Sequence, residues 1–557
     1  MPGVNLYQNE RGMATFIALM IMLMLTILGA AALKLADDEL NIAGNEMSEM
    51  ASFYAAEAGL EMASASIQDQ YVATGNPPTL LPAGSQTINS STTVAYVTTD
   101  KGAATQETLT LGTLAGLHAL VKTYEIEAIG TSLIDGGQMH LTQEFQAALV
   151  PVFQFAVFYD NDLELAPGPD MTLMGRVHSN GDLWLQAGSQ LHMDSYVTCA
   201  RDILYGRKGG GGAASGDVFI KDTDGNYQNM KNADGTFLQA TDSYWYDSAS
   251  VRWGGRVQDA SFGQKPLNLP LTNAGDPHKI IERGSGNPDS YEHEADMKII
   301  DGNVYTRVSG TWIDVTGVLP AGTVTQTTFY DGREGTNVQT TEIDMAQLKA
   351  SAYYPAGGVI YASDHRAGTF NALRLSNGSD IGAPLSIYSE NPVYVQGDYN
   401  SINKQPAAIA GDAVTFLSNN WADSTSTLAK EQRPATATTA NVSIMTGNVN
   451  TTSTDYNGGV ENLPRFLEDW TAVQFTWRGS MVNLWNSQQA TGLWGSDYYI
   501  PPDRDWAFDT DLDDPAKLPP KTPLLRIFQR TSWQQKDIGY ALFADSVTTE
   551  STTTTLP

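Results

Sequence analysis

Cysteine is nearly absent. Cys199 is the only one in 557 residues, so neither an intramolecular disulfide nor a cysteine-based zinc site is available, and the compartment is not legible from cysteine pairing. Basic residues are also scarce: 32 Lys and Arg stand against 62 Asp and Glu, for a net charge of -30. A surface of that sign repels phosphate backbones, which sets nucleic acid aside as a partner. The 7 His show no HxxxH or HExxH spacing, so the usual metalloprotease motif is missing. No Gly-x-Ser-x-Gly elbow occurs, and the glycine tract at 209–212 is not followed by Gly-Lys-Ser/Thr, which leaves no serine-nucleophile or phosphate-loop signature. What the chain has instead is 51 Gly, 24 Tyr, 11 Trp and abundant Thr, Ser and Asn, a composition of strands and turns. Its length allows about three to four domains, or fewer if they are long β architectures.

Residues 12–33 carry no charge for 22 positions. As a helix that run spans about 33 Å, enough to cross a bilayer core. Arg11 precedes it and Lys34, Asp37, Asp38 and Glu39 follow, a weak positive-inside bias that orients the N-terminus to the cytoplasm and exports the rest. A cleaved secretory signal would have a basic leader and a shorter apolar core. Beyond the run, Leu40, Ala43, Met47, Met50, Ala51, Tyr54, Ala58 and Met62 recur at three- and four-residue steps, with no proline before Pro77. One helix over 13–67 is predicted, with Met50, Tyr54, Ala58 and Met62 buried beneath a sheet.

The string Glu10-Arg11-Gly12-Met13-Ala14-Thr15-Phe16, the apolar run, Leu40-Asn41-Ile42-Ala43-Gly44-Asn45 and Phe53-Tyr54-Ala55-Ala56-Glu57-Ala58-Gly59-Leu60 together resemble the N-terminal region of PilX-type minor pilins. The resemblance covers about a tenth of the chain. It implies a leader of residues 1–12, cut between Gly12 and Met13 by a prepilin peptidase, with methylation of the new N-terminus. It also implies lateral helix packing through Phe16, Ile17, Met20 and Met24 in a filament. Major pilins of this kind carry Glu at the fifth mature position, where this chain has Ile17; PilX-like and GspK-like minor subunits also lack it. A subunit with no neighbour above it has no ammonium to neutralise, so a tip or initiation position is expected.

Residues 68–92 read as a Thr/Ser/Pro/Gly loop, and strands are expected over 92–97, 108–111, 123–128 and 139–149, forming a small antiparallel sheet within a pilin-like unit at 68–150. Past Pro151, short apolar strands alternate with Asn/Gly/Asp turns, and Gly-Asp-apolar or Arg-Asp-apolar steps recur at 181–183, 201–203, 216–218, 397–398 and 411–412. This suggests parallel solenoid coils in two blocks, 151–220 and 351–457, with an antiparallel sandwich as the alternative. Residues 221–350 read as an insertion, 458–545 as an aromatic C-terminal block and 546–557 as a disordered tail. The fold class expected is mainly β with one long N-terminal helix.

Calcium is the cofactor considered, because acidic turns of an exported protein supply oxygen ligands. Asp222, Asp224 and Asn226, and likewise Asp509, Asp511 and Asp513, alternate suitably, yet neither set completes an EF-hand; solvated turns are the simpler reading. Glycoside cleavage needs a carboxyl pair, for which Asp160 with Asp162, or Glu461 with Glu468, are the candidates. Nothing else favours an enzyme. The expectation is a non-enzymatic minor pilin or pseudopilin in the bacterial inner membrane and then in a filament. Its partners are other pilins, pilus assembly proteins and the peptidase, and a surface or carbohydrate is the ligand class its aromatics would suit. The alternatives are an anchored binding protein and a solenoid carbohydrate-active enzyme.

Overall fold

The computed structural model describes residues 10–210, 214–272, 275–367 and 370–536. Helix α1 spans Glu10–Thr74, 65 residues and about 98 Å long, two turns beyond the expected end. It stops where Gly75 takes a left-handed φ of 71° and donates its N–H to the Tyr71 carbonyl at 2.9 Å, just ahead of Pro77 and Pro78. Residues 12–46 of the helix are exposed throughout. From Ser48 onward one face is covered, made of Ser48, Ser52, Ala56, Leu60, Ala63, Ile67 and Tyr71. The expected face of Met50, Tyr54, Ala58 and Met62 is therefore not the buried one. Met50 and Tyr54 are exposed, and Ala58 and Met62 half-buried. Small side chains win the sheet side because they let backbone approach backbone. A Cβ at Gly130 would lie 2.6 Å from the Ala56 nitrogen, and one at Gly59 would lie 2.6 Å from Val94.

The sheet on this face contains β1 (Ala83–Asn89), β2 (Thr92–Asp100), β3 (Thr105–Thr108), β4 (His118–Ser132) and β5 (Gln138–Pro151). The segment expected as a loop thus holds the end of α1 and an exposed strand, and the strand expected at 108–111 lies a few residues earlier. β1, β2, β4 and β5 are antiparallel neighbours in that order, and β3 borders the start of β4. The fifth strand of the main order comes from the far end of the chain. Leu524–Lys536 runs antiparallel to β5, from Leu524 opposite Pro151 to Lys536 opposite His140.

Between β5 and that last strand lies the head. Its first coils repeat every 20 residues: Val157, Val177 and Val197 align in one wall, and Leu163, Leu183 and Ile203 in a second. A third wall stacks Met171–Leu173, Gln190–Met193 and Asp217–Lys221. All these pairings are parallel, so the antiparallel sandwich does not describe the head. The Asp steps make the corners. Asp182 N–H donates to the Asp162 carboxylate at 2.9 Å, and Asp202 N–H to that of Asp182 at 3.3 Å. The inward Val, Leu, Ile and Met residues are fully buried apart from the half-buried Met171 and Leu173, and Cys199 is fully buried as well.

One wall unites both halves of the head. Its parallel strands lie in the spatial order Val257–Gln258, Val197–Cys199, Arg176–Ser179, Phe155–Tyr159, Met481–Asn483, Ser443–Thr446, Ala407–Gly411, Leu385–Ser389, Val359–Ser363 and Met297–Ile300. The chain enters this wall in the middle, at Phe155–Tyr159, and winds to one end at Val257–Gln258. Residues 259–296 carry it to the opposite end, and it winds back until Val482 pairs with Phe158 beside the starting strand. Strands Met297–Ile300 and Thr336–Asp344, within the stretch read as an insertion, belong to this stacked architecture. The connecting segment lays Leu267, Leu269, Leu271, Ile280 and Ile281 on an apolar face that includes Tyr388, Met445, Val482 and Trp485. The tail at 546–557 lies outside the described residues.

Candidate functional site

The long helix is the site, because it is where apolar surface is left uncovered. Ile17 is 52% exposed, and Met13, Phe16, Met20 and Met24 are likewise exposed, so the residues expected to pack against other helices all stand on an open cylinder. Among the described residues this is the one helix long and apolar enough to cross a membrane. Gly12 and Met13 lie within its first turns.

The upper half is fixed to the sheet by polar contacts at both ends. Ser48 donates to the Asp135 carboxylate in the β4–β5 turn, and Gly137 N–H donates to the same carboxylate at 3.0 Å. The Ser48 hydroxyl, with help from Gly137, holds the Asp135 carboxyl below its ordinary range. At the other end Tyr71 and Tyr124 share a hydrogen bond of 3.1 Å, and burial raises both phenols. The C-terminal strand grips the helix as well. Arg526 donates to the Tyr71 carbonyl at 2.6 Å, Arg530 pairs with Glu61 at 2.5 Å, and the Trp533 ring lies 5.9 Å from Phe53.

The acidic turns have other partners. Asp222 accepts N–H groups from Asp224 at 3.0 Å and Asn226 at 2.8 Å, closing the turn between Asp217–Lys221 and Tyr227–Asn229. Asp509 and Asp511 are met by the Lys404 ammonium at 2.9 and 2.6 Å, and Lys517 reaches Asp511 at 2.7 Å. Those two lysines bring the Asp511 carboxyl down to about 2. Asp513 stands apart and exposed, with Arg176 the main opposing charge acting on it. Among the described residues no group of three or more His, Cys, Asp or Glu is placed to hold a metal.

The carboxyls weighed for glycoside cleavage have other partners. Asp160 accepts from Asn180 at 2.8 Å, Asp162 pairs with Lys208 at 2.8 Å, and Glu468 accepts from the Ser418 N–H and hydroxyl, both at 2.6 Å. Glu461 instead faces Glu164, a residue that sequence reasoning passed over. Glu164 lies in the strand Leu163–Leu165 and Glu461 in the turn Val460–Asn462, so the pair joins the first coil to a late one. Burial, then the charge of Glu461, pushes Glu164 up to about 7, and burial raises Glu461 as well. The Tyr159 hydroxyl and Glu461 Oε2 have no hydrogen-bond partner among the described residues. Protonation of Glu164 relieves the like-charge contact in such a buried pair. The one available sequence signal was an acid in the middle of an apolar three-residue strand.

Comparison with known proteins agrees with the helix. Residues 11–61 match the family described as PilX N-terminal. No curated protein matches the chain. Among solved structures, the competence-associated pilin ComZ from Thermus thermophilus is 11% identical, covering 88% of this chain and 97% of its own, with a TM-score of 0.27, a likeness that carries no argument. The chain has a PilX-type N-terminal segment followed by a large β-rich C-terminal region.

Proposed function

We propose that the chain is a minor pilin or pseudopilin of a type IV pilus or a related filament, anchored first in the bacterial inner membrane through residues 12–33. The observation that carries this is the coincidence of the PilX N-terminal match at 11–61 with an apolar helix that no other described residue covers below Ser48. An isolated apolar cylinder is stable in lipid, and it stays buried on leaving lipid only by packing against other helices. The peptidase cuts between Gly12 and Met13, and methylated Met13 with Phe16, Ile17, Met20 and Met24 forms the helix-to-helix contact.

Two features favour an end of the filament. Ile17 offers no carboxylate to a neighbour's ammonium, and a head of nearly 500 residues has a radius of gyration of about 23 Å, too wide to repeat around a narrow shaft. Priming assembly, capping the tip or mediating adhesion are the roles compatible with that place. The stacked coils act as a rigid display surface rather than as a catalyst.

Intact mass and N-terminal sequencing of membrane-extracted protein, from cells with and without prepilin peptidase, test the reading. The expected mature chain begins at methylated Met13 only when the peptidase is present. Persistence of residues 1–12 in both strains makes the chain an anchored binding protein instead.

A further inference from the structure

Above the membrane-length run, α1 carries a second pattern that the fold leaves unused. Leu40, Ala43, Met47, Met50 and Tyr54 follow each other at steps of three, four, three and four, the a and d positions of two heptads. The sheet takes the opposite face of the helix, through Ser48, Ser52 and Ala56. The seam itself is open: Leu40 is 72% exposed, Met47 71%, Met50 57% and Tyr54 63%. It extends about 21 Å.

The two flanks of the seam differ. On one side stand Glu39 and Glu46, one heptad apart; on the other stand Gly44, Ala51 and Ala58 at the same interval. Between Lys34 and Glu57 the helix holds 6 acids and 1 base. Among the described residues no salt bridge reaches Glu39, Glu46, Glu49 or Glu57, whereas Glu61, higher up, already has Arg530. The small flank permits close approach of another helix, and the acidic flank calls for cations there.

We infer that this seam docks a helix of a different chain, one that rises parallel from the same membrane and carries Lys or Arg opposite Glu39 and Glu46. A second copy of this chain fits poorly. In parallel pairing its Gly44 and Ala51 would face the glutamates without a cation, and in antiparallel pairing glutamate would face glutamate. The parallel direction follows from continuity, since the apolar run at 12–33 passes directly into the seam and a companion helix shares both. This inference rests on the pilin reading and names the chemistry of the subunit that sits beside this one.

The test uses the full chain in detergent micelles and two helical peptides with leucine at a and d, one with Lys and one with Glu at the flanking positions, followed by fluorescence anisotropy. The Lys peptide is expected to bind. Replacing Glu39→Lys together with Glu46→Lys should weaken it by about tenfold or more and bring the Glu peptide to comparable affinity, since flanking charge selects the partner. Met47→Asp should abolish both. These side chains are exposed, so the head stays folded. Three outcomes overturn the inference: no binding of the Lys peptide, binding unmoved by the exchange at Glu39 and Glu46, or an equal loss when Asp224 and Asp247 on the head are reversed. Disulfide-linked pairs of a Met50→Cys chain would make the occupant a second copy and overturn it too. Leader removal at Gly12 is untouched by these changes, so a failed seam and a failed pilin reading give different results.

Discussion

At the scale of single residues, burial decides chemistry more than residue type does. Glu164 and Glu461 are ordinary acids by sequence, and the fold places both in the interior where the charged form is disfavoured. The folded-state pKa of Glu164 is raised, so its contribution is fully present below about 4.5, the ordinary glutamate value, and is lost as pH rises through about 7. Thermal melts from pH 4 to 8 should therefore show stability falling across that window, and Glu164→Gln should remove a decline on the order of 3 kcal/mol. A wild-type curve that rises instead would contradict the buried pair. Gly130 is the complementary case, needed because the helix backbone occupies the place of its side chain. Gly130→Val should cost about 1–3 kcal/mol by overpacking and loosen α1 from β4, read out as faster proteolysis near Ser52.

At the scale of elements, the connecting segment at 259–296 shows how one polar latch orders a long crossing. Burial alone would depress His278, but the carboxylates of Asp412 and Glu282 outweigh it and hold the imidazole above its ordinary value. Glu282 lies 2.7 Å from Nδ1, and Trp485 packs edge-on against the ring. Asp412 also accepts N–H groups from Gln488, Gln489 and Ala490, so the latch ties the crossing to the last coils. The raised pKa means its contribution is present in acid and lost as pH rises through the folded value. Limited proteolysis should cut within 259–296 more readily at pH 9 than at pH 6. In His278→Gln that difference should vanish, and a difference that survives the substitution refutes the latch.

At the scale of the whole molecule, the head closes on itself. First and last coils are neighbours, through Val157 with Met481 and Tyr159 with Asn483, and both ends of the head continue into adjacent strands of the helix-bearing sheet. A load applied to the head thus reaches α1 through two strands, β5 and Leu524–Lys536, hydrogen-bonded side by side. Removing residues 524–536 should strip the sheet of its edge, expose Phe145 and Tyr71, and release the helix. Loss of cooperative melting in the truncated chain would bear this out, whereas unchanged melting would mean the strand is dispensable.

The sequence by itself determined the helix, its membrane-length run and the PilX-type segment, because each is written in local spacing; it suggested parallel coils with Asp corners, and the strand pairing decided them against a sandwich. The apolar period was visible along α1, but not which side of it the sheet would choose. That depended on Gly130 and Gly59 meeting small residues across space, and the larger Met50 and Tyr54 were left outside. The C-terminal strand was hidden for the same reason: Leu524–Lys536 finds its register only on β5, far back in the chain, and its own pattern does not alternate cleanly. Asp509 and Asp511 could be read locally only as an acidic turn; that Lys404, distant in sequence, pairs with both was decided by the fold. Local patterns specify elements; which faces, strands and charges meet is set by long-range packing, and only the tertiary structure decides it.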